Sequence, residues 1–151
     1  SLCLNMIERH VGPGFRVLDI GTGSGVLLIA AAKFRAAFLY GIDCDPMAVE
    51  VAKANLLLNT VEEKIFRLET GNLLEKVTGT FDLAVANILT NTIIPMIPDI
   101  PELLSAKGIF VASGILAENE QTIRKVLENS GLKTIEVLEK EDWIAVCAKK
   151  L

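Results

Sequence analysis

Three glycines at alternate positions follow an acid at the end of an apolar run, in the stretch VLDIGTGSG at residues 17–25. The residues are Asp19, Gly21, Gly23 and Gly25, and a backbone this bare can approach a ligand closely. A phosphate, a sulfonium compound and a tight turn without a ligand would each suit such a loop. Because one glycine suffices for a turn, the pattern favours a bound ligand.

The spacing of these glycines excludes two common phosphate-binding loops. A dinucleotide-binding fingerprint reads G-x-G-x-x-G, and Val26 holds the position of its third glycine. A P-loop requires Gly-Lys followed by Ser or Thr, and the first lysine after the glycines is Lys33. What remains is a D-x-G-x-G-x-G loop without a phosphate signature.

A second acid, Asp43, lies in the next apolar run, AAFLYGIDCD at residues 36–45. A carboxylate at the end of the second strand can accept hydrogen bonds from both hydroxyls of a ribose. We therefore expect Asp43 to hold the nucleoside half of a ligand, the alternative being a solvated acid at a strand end. Asp45 is expected to cap a helix instead, because Pro46 follows it.

Such residues need a scaffold that brings strand ends together, and the sequence alternates strands with helices. Turn residues and apolar patterns predict strands at 15–20, 36–45, 64–70, 81–88 and 107–115, and helices at 24–34, 45–59 and 119–131, with Ser24 as a further N-cap. Residues 132–150 predict two strands turned at Glu141 and Asp142, and this last pair should be antiparallel. The fold class is therefore α/β, with a mostly parallel sheet and an antiparallel last strand.

Composition limits the function further. The chain has 151 residues, a formal charge of −4 and 51% hydrophobic residues, which indicates one domain with a dense core. The longest apolar run is VLLIAAA, too short to span a membrane, and no basic cluster indicates binding to nucleic acid. Three widely spaced cysteines predict free thiols in the cytoplasm and no metal site.

Two stretches, VLDIGTGSG and GIDCDPMAVEVAKANLLLN, resemble the cofactor half of the class I S-adenosylmethionine-dependent methyltransferases. The segments VANIL at 85–89, SGIL at 113–116 and EKEDWIAVCAKK at 139–150 are similar to the PrmA type, which methylates amino groups of large-subunit ribosomal protein eleven. The resemblance covers residues 1–151. It implies a Rossmann-like, three-layer αβα fold with a seven-stranded sheet, and S-adenosyl-L-methionine as cofactor.

The resemblance also implies a set of cofactor-binding residues, which are Asp19, Gly21, Gly23, Gly25, Asp43, Cys44, Asn72 and Asn87. Cys44 is expected to lie along the adenine as a small apolar contact. Asn72 would accept a hydrogen bond from the adenine amino group, and a plain loop residue is the alternative. The last of the set, Asn87, is also expected to be catalytic.

Asn87 ends the fourth predicted strand, where the methyl group would lie. Its side-chain oxygen and a neighbouring carbonyl, that of Ile88, would accept two N–H bonds from an amine and point the lone pair at the methyl; a turn-forming asparagine is the alternative. Methyltransferases of nucleobases and glutamine typically carry Asn/Asp-Pro-Pro-Tyr/Phe here. Asn-Ile-Leu-Thr at 87–90 therefore favours an aliphatic amine, for which no residue is identified as general base.

The chain departs from the PrmA pattern at its start. Members carry an N-terminal substrate-recognition domain and a Gly-Thr-Gly-x-His-x-Thr-Thr stretch, which would end where Ser1 begins. We therefore expect one of two cases. The chain is an excised catalytic domain whose ribosomal partner binds through the absent N-terminal domain, or it is a shorter homologue with another substrate. The alternatives are a small-molecule or other protein methyltransferase, or a cofactor-binding domain without catalysis; a monomer is expected.

Three smaller expectations concern residues outside these motifs. His10, the only histidine, is expected to be solvated at the end of the opening helix. Trp143 is expected to pack on the final hairpin rather than to bind cofactor. Three prolines, Pro95, Pro98 and Pro101, predict a bent segment after the fourth strand, because each removes a backbone donor.

Overall fold

A seven-stranded sheet lies between two layers of helices in the computed structural model, which describes residues 1–151. The strands are β1 (Arg16–Ile20), β2 (Phe38–Asp43), β3 (Phe66–Thr70), β4 (Phe81–Asn87), β5 (Leu104–Leu116), β6 (Leu132–Lys140) and β7 (Trp143–Lys150). The helices are α1 (Leu2–His10), α2 (Val26–Lys33), α3 (Pro46–Leu58), α4 (Thr90–Met96) and α5 (Glu120–Asn129).

The strand order is β3-β2-β1-β4-β5-β7-β6. The first five strands pair in parallel, and β7 pairs antiparallel with both β5 and β6. The predicted fold class is confirmed, including the antiparallel strand at the end of the chain. The order reverses between β1 and β4, and ligands of open α/β sheets bind at such a switch point.

The core consists of two apolar clusters, one on each face of the sheet. The larger contains buried side chains of α4 and α5, and the smaller contains those of α1, α2 and α3. Side chains alternate between the faces along each strand, so Leu83 and Val85 belong to the smaller cluster while Ala84 and Ala86 belong to the larger. By the same alternation, Asn87 at the end of β4 points toward the layer that contains α1.

Helix starts follow the predictions in one case and differ in another. Asp45 caps α3 by accepting a hydrogen bond from the Met47 backbone N–H at 2.9 Å, and Pro46 is the first helical residue, as predicted. The prediction that Ser24 caps α2 is wrong. Gly25 occupies the cap with φ +82°, and a Cβ there would lie 3.2 Å from the Cβ of Ala52. Gly25 thus allows α2 to start in close contact with α3.

The three prolines after β4 break the chain into short turns. The α4 helix ends at Met96, and two 3₁₀ turns follow at Ile97–Asp99 and Pro101–Leu103. The predicted bent segment is confirmed. None of the helices is long and apolar enough to cross a membrane.

His10 is not solvated, contrary to the prediction. Its Nε2 lies 2.7 Å from Oε1 of Glu136 on β6, and only 18% of its side chain is exposed. Arg9 pairs with the same carboxylate. Hydrogen bonds from His10 and Arg9 lower the pKa of Glu136. The end of α1 is therefore fastened to the last-but-one strand, by a partner 126 residues away along the chain.

Candidate functional site

The carboxyl ends of the parallel strands border a cleft of about 580 Å³. The register aligns Ile20 of β1 with Ile42 of β2 and with Ala86 of β4, so the residues that follow these positions meet at one edge. Eleven residues line the cleft: Gly21, Ile42, Asp43, Cys44, Asn72, Leu73, Asn87, Ile88, Leu89, Thr92 and Gly114. Five of the eight residues predicted for the site are among them.

The glycine loop starts at a position, Gly21, where the structure leaves no space for a side chain. The N–H groups of Gly21 and Thr22 both donate to the carbonyl of Ile42, at 2.8 and 3.0 Å, which holds the loop against β2. Gly21 has φ +77°, and a Cβ there would lie only 2.6 Å from Cγ2 of Ile88. A glycine at position 21 therefore keeps the floor of the cleft open between β1 and β4.

Asp43 presents a carboxylate that the backbone already holds in place. Oδ2 accepts from the Gly23 N–H at 2.9 Å, and Oδ1 accepts from the Asp45 N–H at 3.0 Å. Each carboxylate oxygen has a further lone pair, so both remain able to accept a hydroxyl. Two adjacent hydroxyls, as in a ribose, match this arrangement of acceptors.

Asn87 lies at the other end of the cleft, exposed at the last residue of β4. Gly114 of β5 makes room for its side chain, because a Cβ at Gly114 would lie 3.0 Å from Oδ1 of Asn87 and 3.6 Å from the carbonyl oxygen of Ile88. The Asn87 amide oxygen and the Ile88 carbonyl are therefore both close to the bare backbone of Gly114. Each of these oxygens can accept an N–H, so an amine lying next to Gly114 could donate to both.

Cys44 and Asn72 line the same cleft as Asp43. Cys44 is exposed, and its neighbours in the wall include Ile42 and Leu73, which makes this end of the cleft suited to a flat apolar group. The Asn72 amide donates to Oε1 of Glu75 at 3.4 Å, a long contact that leaves its carbonyl oxygen free to accept.

Asp19, Gly23 and Gly25 do not line the cleft. Gly23 acts through its bond to Asp43 and Gly25 packs on α3, while Asp19 is 1% exposed and lies behind the wall. The Thr22 hydroxyl donates to Oδ2 of Asp19 at 2.9 Å, and Oδ1 has no hydrogen-bond partner. Direct contacts of these three residues with a cofactor stay predictions.

Burial raises the pKa of Asp19 to about 7, with a smaller contribution from the negative charge of Asp43. Because the folded pKa is raised, the folded chain holds a proton that the unfolded chain releases above pH 4. The contribution of Asp19 to stability is therefore lost as the pH rises from about 4 to about 7.

We expect Asp19→Asn to stabilise the chain at pH 8, by roughly 2–4 kcal/mol, and to have little effect at pH 4. The amide is neutral at both pH values, so the variant avoids burying an unpartnered charge. Urea unfolding of both proteins across this range measures the difference. A stability difference that does not change with pH would show that burial does not raise the pKa of Asp19.

The prediction from sequence missed several residues of the cleft. Gly114 was noted only as part of SGIL, although a glycine at the end of a parallel strand is a signal of close approach. Leu89 and Thr92 come from the turn into α4, and Leu89 is 75% exposed. Two apolar residues, Ile88 and Leu89, directly after a strand-end asparagine and before a helix are the signal that could have indicated them.

A family model described as "Ribosomal protein L11 methyltransferase (PrmA)" matches residues 1–151. Ribosomal protein L11 methyltransferases of Bacillus velezensis and of Bacillus subtilis are each 42% identical to the chain over 149 residues. The match covers 99% of this chain and 48% of each relative, so the chain spans about half the length of the relatives it matches.

Solved structures give the same result for the fold. The ribosomal protein L11 methylase of Lactobacillus delbrueckii subsp. bulgaricus superposes with a TM-score of 0.93 at 31% identity, over 99% of this chain and 78% of that one. The magnesium protoporphyrin IX methyltransferase of Synechocystis, solved with its bound SAM, has a TM-score of 0.80 at 20% identity and shares the fold alone, over 98% and 76% of the two chains.

Proposed function

Because the chain belongs to the family of ribosomal protein L11 methyltransferases (PrmA), we propose that it methylates an amino group of ribosomal protein L11 with S-adenosyl-L-methionine as donor. One observation carries this proposal beyond the family. A single cleft has the carboxylate of Asp43 in one wall and the acceptor oxygens of Asn87 and Ile88 in another. It is therefore suited to hold a nucleoside and an amine at the same time.

The residues of the cleft fit the proposed cofactor. Gly21 provides the bare backbone against which the methionine portion would lie, and Asp43 would accept the two ribose hydroxyls. Cys44 and Asn72 would contact the adenine, Cys44 as an apolar surface and Asn72 as an acceptor for its amino group. The buried carboxyl of Asp19 lies behind the same loop, and the positive charge of the cofactor would favour its ionised form.

The residues of this chain contribute to the reaction mainly by positioning the amine. S-adenosyl-L-methionine supplies a methyl group on a sulfonium, whose sulfur keeps the electron pair of the broken S–C bond. Asn87 Oδ1 and the Ile88 carbonyl accept two N–H bonds from the amine, so that its lone pair points into the cleft. The apolar side chains of Ile88 and Leu89 disfavour an ammonium and so favour the neutral nucleophile. The product ammonium then releases its proton to water.

The proposal extends to organisation and location. Residues 1–151 would form the cofactor-binding and catalytic unit, and recognition of ribosomal protein L11 would use a separate N-terminal domain of the kind that the resemblance implies. The protein would act as a monomer in the cytoplasm, where ribosomal proteins are available. Direct binding of nucleic acid has no part in this proposal, consistent with the charge of −4.

The proposal is tested by incubating the chain with purified ribosomal protein L11 and S-adenosyl-L-methionine. Mass spectrometry of L11 is expected to show methyl groups on lysine or on the N-terminal amine. Calorimetric titration with S-adenosylhomocysteine tests the cofactor separately. Absence of S-adenosylhomocysteine binding would overturn the cofactor assignment. Binding without transfer to L11, also when the chain is joined to a recognition domain of a Bacillus relative, would overturn the acceptor assignment.

Gly114→Ala is expected to lower turnover by about tenfold or more, because the new Cβ would displace the Asn87 side chain from which it lies 3.0 Å. Gly131→Ala is the matched control, since Gly131 also has a positive φ, +86°, but has no atom within 4 Å of the added Cβ. Both variants carry the same kind of backbone strain. Steady-state rates that fall equally in both would show that contact with Asn87 is unimportant.

A further inference from the structure

A second cleft, of about 200 Å³, adjoins the first at Asn87 and Gly114, which line both. We call it the hairpin cleft, and the residues on which the following argument depends are Asn87, Ser113, Gly114, Lys140, Glu141 and Trp143. The residues predicted to bind adenine and ribose lie in the first cleft only. The amide of Asn87 therefore lies between a space suited to the cofactor and a space that the cofactor does not need.

An irregularity in the sheet opens the hairpin cleft. Ala112 of β5 pairs with Val146 of β7, but Ile115 pairs with Ile144, so two residues of β5 lie opposite one residue of β7. The two residues of the bulge are Ser113 and Gly114, and Gly114 has φ +75°. Such a bulge interrupts the ladder and re-aims the backbone, as is common beside active sites. Ser113 and Gly114 of this bulge line the hairpin cleft together with Asn87.

The walls of this cleft combine an aromatic ring with charged groups. Trp143 is 48% exposed at the start of β7, where it pairs with Leu116, itself 36% exposed. Glu141 occupies the hairpin turn with φ +57°, and Lys140 precedes it. An exposed indole suits a straight alkyl chain, whose methylene groups can pack along the ring while the amine at its end reaches Asn87.

We infer that the hairpin cleft receives the alkylamine side chain of the methyl acceptor and that Trp143 positions it toward Asn87. This inference rests on the proposed function, since it takes the first cleft to hold the cofactor. Trp143 thereby acquires a role in specificity, beyond the packing on the hairpin that the sequence predicts. The alkylamine would enter between the β5 bulge and the β6–β7 turn, with its chain along Trp143 and its amine toward Asn87.

The experiment compares three ligands by calorimetry. They are S-adenosylhomocysteine and two analogues in which nitrogen replaces the sulfur and carries either a methyl or a butyl arm. In the parent chain the butyl analogue is expected to bind ~10-fold tighter than the methyl analogue. Trp143→Ala is expected to abolish this gain and to leave S-adenosylhomocysteine binding unchanged.

Two features of the chain sharpen this test. Trp143 is the only tryptophan, so its fluorescence should change with the butyl analogue and not with S-adenosylhomocysteine. Phe34→Ala is the matched control, because Phe34 is also partly exposed, at 39%, and follows α2 at the opposite edge of the sheet. This variant should bind all three ligands as the parent does.

The outcomes separate the inference from the proposed function. An arm that adds no affinity, or whose gain survives Trp143→Ala, overturns the inference and leaves the cofactor site intact. Weaker binding of S-adenosylhomocysteine itself in Trp143→Ala assigns the tryptophan a structural role and also overturns it. If the parent chain fails to bind S-adenosylhomocysteine, the proposed function and the inference fall together.

Discussion

Replacing Asn87 with alanine is expected to lower kcat by about 10²–10³-fold and to change the Kd for S-adenosylhomocysteine by no more than about threefold. The reason is that the side-chain oxygen of Asn87 orients the amine, and the Ile88 carbonyl alone leaves the amine free to rotate. The position of Oδ1 is set by Gly114, 3.0 Å from the place of its missing Cβ. Single-turnover rates with ribosomal protein L11 and calorimetry with S-adenosylhomocysteine measure the two quantities.

Asn91→Ala is the matched control for this prediction. Asn91 lies four residues further along, exposed on α4, and lines neither the first cleft nor the hairpin cleft. It should leave kcat and Kd unchanged. An Asn87→Ala variant with normal kcat would contradict the catalytic role. A variant that loses affinity for S-adenosylhomocysteine in proportion to its rate would leave Asn87 with its predicted cofactor-binding role alone.

Asp43→Ala is expected to weaken S-adenosylhomocysteine binding by about 100-fold or more. Hydrogen bonds to a charged group contribute roughly 1.5–3 kcal/mol each, and this carboxylate would accept two from the ribose. The substitution also frees the N–H groups of Gly23 and Asp45, which the carboxylate now holds at 2.9 and 3.0 Å. Loss of the ribose grip and loosening of the glycine loop therefore act in the same direction.

Asp45→Ala separates these effects from damage to the helix. Asp45 caps α3 through the Met47 N–H, so its loss should cost about 1 kcal/mol of stability with little change in Kd. Asp43→Asn should bind with intermediate affinity, because the amide keeps one acceptor oxygen. Equal Kd values for Asp43→Ala and the parent chain would refute the ribose assignment, provided that circular dichroism shows both proteins folded.

Most elements of the fold were predictable because local signals mark their ends. Asp45 with Pro46 starts α3, and the turn at Glu141 and Asp142 separates β6 from β7, as the sequence indicated. The predicted start of α2 at Ser24 was wrong, although serine is a common N-cap. Gly25 takes the cap because α3 leaves no room for a side chain there, and that contact is tertiary.

Site residues at strand ends were predictable from the sequence. Contacts between residues far apart along the chain were not. Asp43 and Asn87 could be identified because each ends an apolar run, and parallel strands bring such ends to one edge. The hydrogen bond between His10 and Glu136 has no local signal, because it depends on where β6 lies relative to α1. The role of Gly114 likewise depends on the register between β4 and β5.

The strand order divides the sheet into two halves that carry different parts of the proposed site. On one side of the switch point, β1, β2 and β3 carry the residues proposed for the nucleoside; on the other, β4, β5 and β7 carry those proposed for the amine. Mutations in one half of the sheet therefore need not change binding by the other half. In evolution, as in engineering, the loops and hairpin beyond β4 can be exchanged to reach new acceptors while the donor half is inherited unchanged.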